Sequence, residues 1–468
     1  MLDYGFTPEF PPEAAAQAEA LPEQGPRADG VKDLSELPWS SIDNPESRDL
    51  DQIEVIQPAE DGSRLLVGIA DVAGAVPVAS PVDGYAGHNT TSVYTGVRTY
   101  TMLPGRMSFD RTSLVAGAPR RVVVVDMLIR AGELVQASAY PALVVNQAKL
   151  DYPSVSAWLE GGALPQALAG RPDVQRQVRA QAALADELAA TRRRAGALDF
   201  DTAETRPVLD EQGEVVGLER RRQDRAGAII EELMIAANQA VVRELDRAGL
   251  PALLRVVRQP EHWDQIVEYA RARGARLPNE PDSAALASFL ERMRRERHGE
   301  FQEISLALIK MIGRGEYIAH HPGEKPVGHF GLATNRYGHA TAPNRRYADL
   351  AAQRLLAPLL GRGRPPYSFV DLQAIAQRCS LMEKQAQKVE RRVKKSIAAA
   401  LLSHHIGQRF EGIVTKAAAD ACYIHVFHPP AEGMVVRGAE RLRVGDKVKV
   451  RLVAVDVERS WIDFDAAR

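Results

Sequence analysis

Residues 41–52 form the most informative stretch of the chain, and they read Ser-Ile-Asp-Asn-Pro-Glu-Ser-Arg-Asp-Leu-Asp-Gln. Asn44-Pro45 favours a turn, which can fold the chain back and bring Asp43 beside the later pair Asp49 and Asp51. Those two aspartates are two residues apart, the spacing at which strand side chains point to one side. Three converging carboxylates repel one another unless a cation lies among them, and such oxygen ligands select Mg²⁺ or Mn²⁺.

Two other structures compete for the same segment: an acidic turn that caps a helix, and a calcium-binding loop. A calcium loop requires a glycine at its sixth position. Counted from Asp43, that position is Arg48, so the calcium loop is excluded. Spacing alone leaves the catalytic metal site and the acidic turn open as alternatives.

Length and composition restrict the class of protein. The chain has 468 residues, of which 45% are hydrophobic, enough for two to four domains with real cores. Cys379 and Cys422 are the only cysteines, which fits a reducing compartment. The longest apolar run falls far short of a membrane span, and no Lys or Arg precedes Arg27, unlike a secretory signal. We expect a cytoplasmic monomer that does not associate with membranes.

The net charge of −2 hides an asymmetry. Residues 1–60 hold 14 acidic and 3 basic side chains, so the rest of the chain is mildly basic. A small acidic segment on an otherwise basic protein suits metal-dependent chemistry on a polyanionic substrate. An acidic disordered arm on an ordinary enzyme explains the composition equally well.

The local pattern changes twice along the chain. Residues 1–36 are rich in Pro, Gly, Glu and Ala, and we expect an irregular arm with short helices. From Ile53 the pattern is that of strands, including a hairpin around Asp61-Gly62. From about residue 165 the apolar period becomes helical. Helices are predicted over Val174–Arg194, Ala228–Leu245, Pro260–Ala272, Ala284–Arg297, Phe301–Met311, Arg345–Leu359 and Asp371–His405.

The last 60 residues return to short strands. Five are predicted, at Gln408–Thr415, Ala421–Val426, Gly433–Val436, Asp446–Val455 and Ser460–Asp465. Five short strands in so short a segment are typical of an OB-fold barrel, a common binder of single-stranded nucleic acid. Another kind of small β-barrel remains the alternative.

Several sequence blocks, in collinear order, resemble one known family. The first is Asp43 followed by Asp49-Leu50-Asp51-Gln52, close to a pattern of one Asp and then Asp-x-Asp-Asp. The later blocks are Val67–Val72, Thr91–Tyr94 with Met102–Pro104, Arg192–Phe200, Glu231–Asn238, His329–Leu332, Thr341–Asp349 and Glu390-Arg391. Together they resemble the ribonuclease II/ribonuclease R (RNB) family of 3′→5′ exoribonucleases, in a short form without N-terminal cold-shock domains.

The resemblance implies an α+β fold. Residues 37–405 are expected to form an RNB-type catalytic domain, a mixed sheet surrounded by helices. Residues 406–468 are expected to form a five-stranded OB-fold barrel that binds RNA, and residues 1–36 a separate N-terminal arm.

The resemblance also implies a function. It is hydrolysis of single-stranded RNA from a free 3′ end, without sequence preference, into nucleoside 5′-monophosphates. Asp43, Asp49 and Asp51 carry over as ligands of Mg²⁺, with Mn²⁺ as the alternative, and as catalytic residues. Arg345 carries over as the phosphate clamp, since its planar fork suits a phosphate better than a lysine does. Two Mg²⁺ ions would serve an in-line displacement.

Five further residues are expected to contact RNA. Tyr94 and Phe200 match aromatics that stack on bases near the 3′ end. Glu232 is a candidate acceptor for a ribose 2′-OH, the group that separates RNA from DNA. Glu390 and Tyr337 complete this set.

The sequence departs from the family at the fourth carboxylate, where Gln52 offers only a weak, neutral metal ligand. If Asp61-Gly62 forms a two-residue turn, Asp71 lies opposite Gln52, and we expect its carboxylate to supply the missing charge. The departure also leaves open a second function, a catalytically weakened RNA-binding protein of the same fold. A metal phosphoesterase for small substrates is a third possibility, but it leaves the aromatic residues and the barrel unexplained.

Overall fold

The computed structural model describes residues 1–22, 30–201, 203–209, 212, 215–222, 224–418, 421–443 and 445–466. Its strands are β1 (Lys32–Asp33), β2 (Ser40–Asp43), β3 (Gln52–Ala59), β4 (Gly62–Ala70), β5 (Val93–Tyr94), β6 (Thr99–Tyr100), β7 (Pro119–Arg130), β8 (Glu133–Val145), β9 (Ala148–Asp151), β10 (Ala203–Leu209), β11 (Val215–Arg222), β12 (Ala252–Val256), β13 (Glu316–His320), β14 (Arg409–Ala418), β15 (Ala421–Phe427), β16 (Pro430–Arg437), β17 (Lys447–Asp456) and β18 (Trp461–Ala466).

The α-helices follow the same chain order, and short 3-10 and π turns lie between them. They are α1 (Pro12–Glu19), α2 (Val72–Ala75), α3 (Pro81–Asn89), α4 (Tyr152–Leu159), α5 (Pro172–Arg194), α6 (Arg225–Arg247), α7 (Trp263–Arg271), α8 (Ser283–Glu296), α9 (Phe301–Ile312), α10 (Tyr347–Leu355) and α11 (Phe369–Leu402).

A seven-stranded mixed sheet organises the larger domain, in the order β1-β8-β7-β4-β3-β2-β9. Its inner strands are apolar on both faces, as in Val122–Val125 of β7, which is completely buried. Such runs belong to a sheet that is covered on both sides. Helices α5 and α6 cover one face, and α2 and α10 pack together near the end of β4. The acidic segment leads into β3, near the centre of this sheet.

The hairpin that joins β3 to β4 differs from the predicted one. Ala59 pairs with Gly62, so Glu60 and Asp61 are the two turn residues. A Cβ on Gly62 would lie 2.2 Å from the backbone oxygen of Ile129 in β7. The glycine therefore permits a close approach of the neighbouring strand and does not form the turn itself.

This register overturns the expectation for Asp71. Gln52 pairs with Ile69, so Asp71 lies beyond the end of the ladder and not opposite Gln52. Its carboxylate forms an ion pair with Arg362 and accepts the backbone N–H of Gly74 at 3.1 Å. The charge of Asp71 is thus used in starting α2.

The described part of the N-terminal arm packs onto the larger domain. Residues 23–29 lie outside the described residues. Helix α1 packs on α3, and the Phe10 ring lies 4.3 Å from the Tyr85 ring, centroid to centroid. Phe6 is buried against Val93 and Met382. The expected short helix is present, although the arm is held by apolar contacts.

The C-terminal strands close into a barrel in the order β14-β15-β16-β18-β17. Alternating residues of β15 point inward, and Phe464 of β18 is fully buried in the barrel core. The five strands occupy the predicted segments, and each extends one to three residues beyond them.

Helix α11 links the two domains without a break. A capping box formed by Ser368 and Asp371 starts it. Near its other end, Ala399 and Leu402 belong to the barrel core, and Ser396 bonds Ser460 of the barrel at 2.7 Å. Among the described residues, no helix is long and apolar enough to cross a membrane.

Candidate active site

The segment between β2 and β3 folds back on itself as predicted. The Ser47 N–H donates to the Asn44 carbonyl at 3.0 Å, which closes a turn behind Asp43. Asp43 Oδ1 accepts the Asn44 N–H at 2.7 Å and the Ser47 hydroxyl at 2.8 Å. Lys149 Nζ donates to the Ser47 carbonyl at 2.6 Å from the adjoining strand β9. These bonds place one carboxylate at the end of β2.

Buried Ser113 anchors the second half of the segment. Its Oγ donates to the Arg48 carbonyl at 2.6 Å and accepts the Leu50 N–H at 3.0 Å. The Asp51 carbonyl accepts the Ala70 N–H at 2.9 Å. Because Arg48, Leu50 and Asp51 are all held by these hydrogen bonds, the backbone of Asp49 is fixed on both sides.

Asp51 meets the loop that carries Arg345. Asp51 Oδ1 accepts the backbone N–H of Asn344 at 2.9 Å, and Arg345 Nε lies 3.3 Å from Asp51 Oδ2. The Asp51 side chain is 1% exposed, whereas that of Arg345 is 45% exposed. Arg345 therefore joins a buried carboxylate to the protein surface.

A second ion pair holds the Arg345 loop. Arg346 donates two hydrogen bonds to the completely buried carboxylate of Asp349, at 2.7 and 2.8 Å. Asp349 also accepts the Ala342 N–H at 2.8 Å, and the Arg345 carbonyl accepts the Ser92 N–H at 3.0 Å. The backbone groups of Arg345 and Arg346 form hydrogen bonds within the loop and to Ser92. Helix α10 therefore begins at Tyr347 and not at Arg345 as predicted.

The charges of Asp43, Asp49, Asp51 and Arg345 influence the pKa values of Asp49, Asp51 and Arg345. Burial raises the pKa of Asp51 to about 7, although Arg345 and the Asn344 N–H oppose the shift. Burial also raises the pKa of Asp49, against the effects of Tyr94 and Arg345. Burial alone would lower the pKa of Arg345, but Tyr94 and the three aspartates raise it overall. The cluster therefore stabilises a cation strongly.

Tyr94 connects the aspartates to the long helix α11. Its hydroxyl donates to Asp49 Oδ2 at 2.9 Å, and its backbone N–H donates to Glu390 Oε1 at 3.2 Å. The Tyr94 side chain remains 38% exposed. The structure thus brings six of the predicted residues together: Asp43, Asp49, Asp51, Arg345, Tyr94 and Glu390.

The donor set fits a divalent metal ion in its chemistry. Asp43, Asp49 and Asp51 offer only oxygen atoms, and Asp51 Oδ2 is buried without a hydrogen bond. Gln52, the next residue of the chain, is also buried. In the part of the chain that the structure describes, however, no three His, Cys, Asp or Glu side chains are gathered closely enough to hold a metal. The carboxylates instead face Ser47, Tyr94 and Arg345.

Phe200 and Glu232 lie in a separate cleft of about 500 Å³, between α5, α6 and the residues around His329. Both carboxylate oxygens of Glu232 accept hydrogen bonds from Arg192. Phe200 packs partly against the cluster of α7, α8 and α9, with the remainder of its ring in the cleft. These two residues are brought together, although neither contacts the aspartates.

Tyr337, which is expected to contact RNA, is nearly buried among aromatic side chains. Its side chain is 9% exposed, and its ring packs edge-on against His329 and His339 with centroids 5.6 and 5.5 Å away. The hydroxyl accepts a hydrogen bond from Asn238 at 3.3 Å. The expected contact of Tyr337 with RNA stays a prediction.

Sequence reasoning missed three residues of the site. Asn344 contacts Asp51 through its backbone and is held by the Thr112 hydroxyl at 2.5 Å. Burial and the neighbouring Asp43 raise the pKa of Tyr152, which begins α4. Glu54, also close to Asp43, is completely buried. Of these three residues, only Glu54 gave a signal in the sequence, because it is a charged residue within the apolar run of β3.

Comparison with known proteins identifies the family. The RNB domain matches residues 31–362, and the RNase II-type exonuclease C-terminal S1 domain matches residues 408–467. The chain belongs to the RNB family. Its RNB match begins somewhat before residue 37, where the catalytic domain was predicted to start, and it includes β1.

Curated RNB relatives cover nearly the whole chain. Ribonuclease R of Thermotoga maritima is 31% identical over 97% of this chain and 68% of its own length. The Aquifex aeolicus enzyme is 28% identical over 99% of this chain and 69% of its own length. Ribonuclease R of Escherichia coli is 26% identical over 97% of this chain, which spans 59% of the relative.

Solved structures of RNB proteins show the same fold. Ribonuclease R of Mycoplasma genitalium, in complex with ribose-methylated single-stranded RNA, superposes with a TM-score of 0.89 at 23% identity, over 100% of this chain and 77% of the other. Yeast Ssd1, described as a pseudonuclease, superposes with a TM-score of 0.69 at 16% identity, over 86% of this chain and 50% of the other.

These comparisons confirm the predicted family, the α+β fold with its five-stranded barrel, and the class of enzyme, an exoribonuclease. The homology supports 3′→5′ degradation and RNA binding. Nucleases of this family depend in general on divalent metal ions. The individual site residues stay predictions.

Proposed function

We propose that this chain hydrolyses single-stranded RNA from a free 3′ end, without sequence preference, and releases nucleoside 5′-monophosphates with the help of Mg²⁺ or Mn²⁺. The observation that carries the proposal is the 3.3 Å approach of Arg345 Nε to Asp51 Oδ2. A phosphodiester in contact with both the aspartates and this arginine would be clamped at the point of cleavage.

Arg345 supplies the phosphate clamp. Its guanidinium presents several N–H donors in one plane, which suits the oxygens of a phosphate. The ion pair of Arg346 with Asp349 stiffens the loop from behind, so the guanidinium is oriented before the substrate arrives. Such preorganised charge stabilises the developing negative charge of the transition state.

Asp43, Asp49 and Asp51 would hold the metal, with the Gln52 amide oxygen as a weak fourth ligand. Bound divalent ions supply an activated water and stabilisation of the leaving 3′ oxygen. The protein's part is to hold the carboxylates in register. Ser113 and the Asn344 N–H perform that task by fixing the segment on both sides of Asp49.

Tyr94 would receive the base at the 3′ end. Its hydroxyl is bound to Asp49 and its backbone to Glu390, so the exposed ring is held at a constant distance from the aspartates. Stacking on a fixed ring accepts any base, as degradation without sequence preference requires. Phe200 and Glu232 would contact RNA from the neighbouring cleft.

The barrel offers a second contact for the strand. Trp461 is 57% exposed and has Arg459 above its ring, at 5.2 Å from the centroid. Tyr423 has Lys395 and Lys416 at 5.7 Å each. Aromatic rings beside cations are the usual means of holding single strands by stacking and phosphate contacts.

One experiment tests the proposal directly. Purified protein with Mg²⁺ is incubated with 5′-labelled RNA, the same RNA blocked by a 3′-phosphate, and DNA of the same sequence. We expect a ladder that shortens from the free 3′ end of RNA only, with nucleoside 5′-monophosphates released. Shortening of DNA, or internal cleavage of the blocked RNA, would contradict the proposal.

A catalytically weakened RNA-binding protein is the second candidate. Two observations favour it: Gln52 in place of a carboxylate, and the fold shared with yeast Ssd1, a pseudonuclease. It predicts RNA binding without shortening in the same assay. We prefer the enzyme because Asp43, Asp49, Asp51 and Arg345 are all retained.

We keep two further predictions, a monomer and a cytoplasmic location. Light scattering after gel filtration, on purified protein with and without RNA, tests the first. Fractionation of the source cells tests the second.

A further inference from the structure

Glu54 lies two residues after Gln52 on the central strand β3. Side chains alternate along a strand, so Gln52 and Glu54 point to the same side, about 7 Å apart along the chain. Glu54 pairs with Val67 of β4 and with Ser40 of β2. It therefore lies between β2, the strand that ends in Asp43, and β4.

The Glu54 carboxylate is buried without compensation. The residue is 0% exposed, and within the described part of the chain neither carboxylate oxygen has a hydrogen-bond partner. Its neighbours Ser40 and Gln181 are equally buried, and Ser40 Oγ and Gln181 Oε1 also lack partners. A buried polar group without a partner is strongly unfavourable, and a valine would fill this position of the strand without that penalty.

The electrostatic surroundings of Glu54 point toward the candidate metal site. Burial raises the pKa of Glu54, and Asp43 is the charged group that raises it further. Besides burial, Asp43 and Glu54 both raise the pKa of Tyr152, and Arg345 lowers it. Glu54 thus lies close to Asp43 and Tyr152.

We propose that Glu54 supplies the carboxylate that Gln52 lacks, as an additional oxygen ligand or close counter-charge of the divalent metal site. The fourth carboxylate of the site would then lie at position 54, two residues after position 52 and on the same face of β3. This inference rests on the proposed metal-dependent function, and it explains why an unpaired glutamate is kept among apolar strand residues.

Mn²⁺ binding to the RNA-free protein measures this role without any activity assay. Free Mn²⁺ is followed by electron paramagnetic resonance during a titration of wild type, Glu54→Gln, Glu54→Val and Gln52→Asp. We expect Glu54→Gln and Glu54→Val to weaken Mn²⁺ binding about 10-fold to 100-fold, as losses of groups that support a metal usually do. The combined Gln52→Asp, Glu54→Gln variant should recover most of the affinity, because it restores the number of carboxylates.

Two controls separate the possible outcomes. Glu244→Gln changes another buried glutamate, paired with Arg247 far along α6, and should leave Mn²⁺ affinity unchanged. Asp49→Asn should weaken binding whatever the role of Glu54. Thermal unfolding without metal should show Glu54→Val at least as stable as wild type, which excludes misfolding as the cause of lost affinity.

The results distinguish the two proposals. If Asp49→Asn weakens Mn²⁺ binding while both Glu54 variants bind as wild type does, the role of Glu54 is refuted and the metal site stands. If Asp49→Asn also binds as wild type does, the metal-dependent function itself is refuted. Failure of Gln52→Asp to rescue Glu54→Gln would show that Glu54 does not replace the missing carboxylate.

Discussion

The hydroxyl of Tyr94 donates a 2.9 Å hydrogen bond to Oδ2 of Asp49, which joins the ring proposed to receive a base to a carboxylate proposed to hold a metal. The two proposed roles, substrate binding and metal binding, would therefore be coupled through one side chain. The two functions of Tyr94 can be separated, because its hydroxyl and its ring can be removed one after the other.

Tyr94→Phe removes the hydrogen bond and keeps the ring, and Tyr94→Ala removes both. We expect Tyr94→Phe to bind RNA like wild type, and Tyr94→Ala to bind it roughly 5- to 150-fold more weakly, the equivalent of ~1–3 kcal/mol of stacking. Equilibrium binding to single-stranded RNA without metal measures this difference. Equal affinities of the two variants would exclude stacking on this ring.

Arg345→Lys keeps the positive charge but loses the planar array of donors. We expect the single-turnover cleavage rate to fall about 100-fold, as for removal of one preorganised donor, with little change in RNA affinity. Arg314→Lys changes an arginine that no proposal involves and serves as the control. A cleavage rate for Arg345→Lys within a factor of two of wild type would contradict the clamp.

Ser113→Ala leaves the Leu50 N–H buried without a partner. The free energy of unfolding should fall by ~1–3 kcal/mol, and cleavage should slow because the segment around Asp49 loses its anchor. Ser108→Ala is the matched control, since Ser108 is equally buried and donates only to the Leu103 carbonyl. The control should lose stability but retain the activity of its folded fraction. Denaturant unfolding and cleavage assays measure both effects.

Asp71→Asn tests the corrected role of Asp71. The substitution breaks the ion pair with Arg362, so stability should fall while Mn²⁺ affinity stays that of wild type. A loss of Mn²⁺ affinity would return Asp71 to the metal site.

His329 makes the fold sensitive to acid. Burial lowers the pKa of His329 from 6.5 to about 4, and its Nδ1 accepts the Leu332 N–H, which requires an unprotonated nitrogen. The unfolded chain therefore binds a proton between these pH values that the folded chain does not. Stability contributed by the neutral ring is complete above pH 6.5 and is lost as the pH falls toward about 4.

His329→Asn keeps an acceptor for the Leu332 N–H but does not titrate. We expect its melting temperature to depend less steeply on pH between 6.5 and 4 than that of wild type. A residual slope should remain, because burial also lowers the pKa of His339. Identical slopes for the variant and wild type would show that His329 does not contribute.

The sequence predicted elements better than the contacts between them. The helical period located α5, α6 and α11 within a few residues, because one face of each helix is apolar. The turn at Asp61-Gly62 was predicted one residue late, since the strong turn signal of a glycine was here a packing requirement of β7. That single shift removed Asp71 from the site.

In the candidate site, too, residues with a sequence motif were predicted and residues that act through tertiary contacts were not. Asp43, Asp49 and Asp51 were predicted from their spacing and from the family motif, and Arg345 from the family motif alone. The structure brings these four residues together, and their roles stay predictions. Asn344 acts through a backbone N–H, which any residue provides, so its identity carried no signal. Ser113 is distant in sequence from the segment that it anchors, and a lone serine predicts no partner. Such contributions arise from tertiary contacts alone.

Helix α11 has a mechanical consequence. Glu390 holds the Tyr94 backbone, and Leu402, about 18 Å further along the same helix, is part of the barrel core. A continuous helix bends little over that distance. If Tyr94 and the barrel both bind one RNA strand, as proposed, this helix would keep the two contacts at a constant spacing.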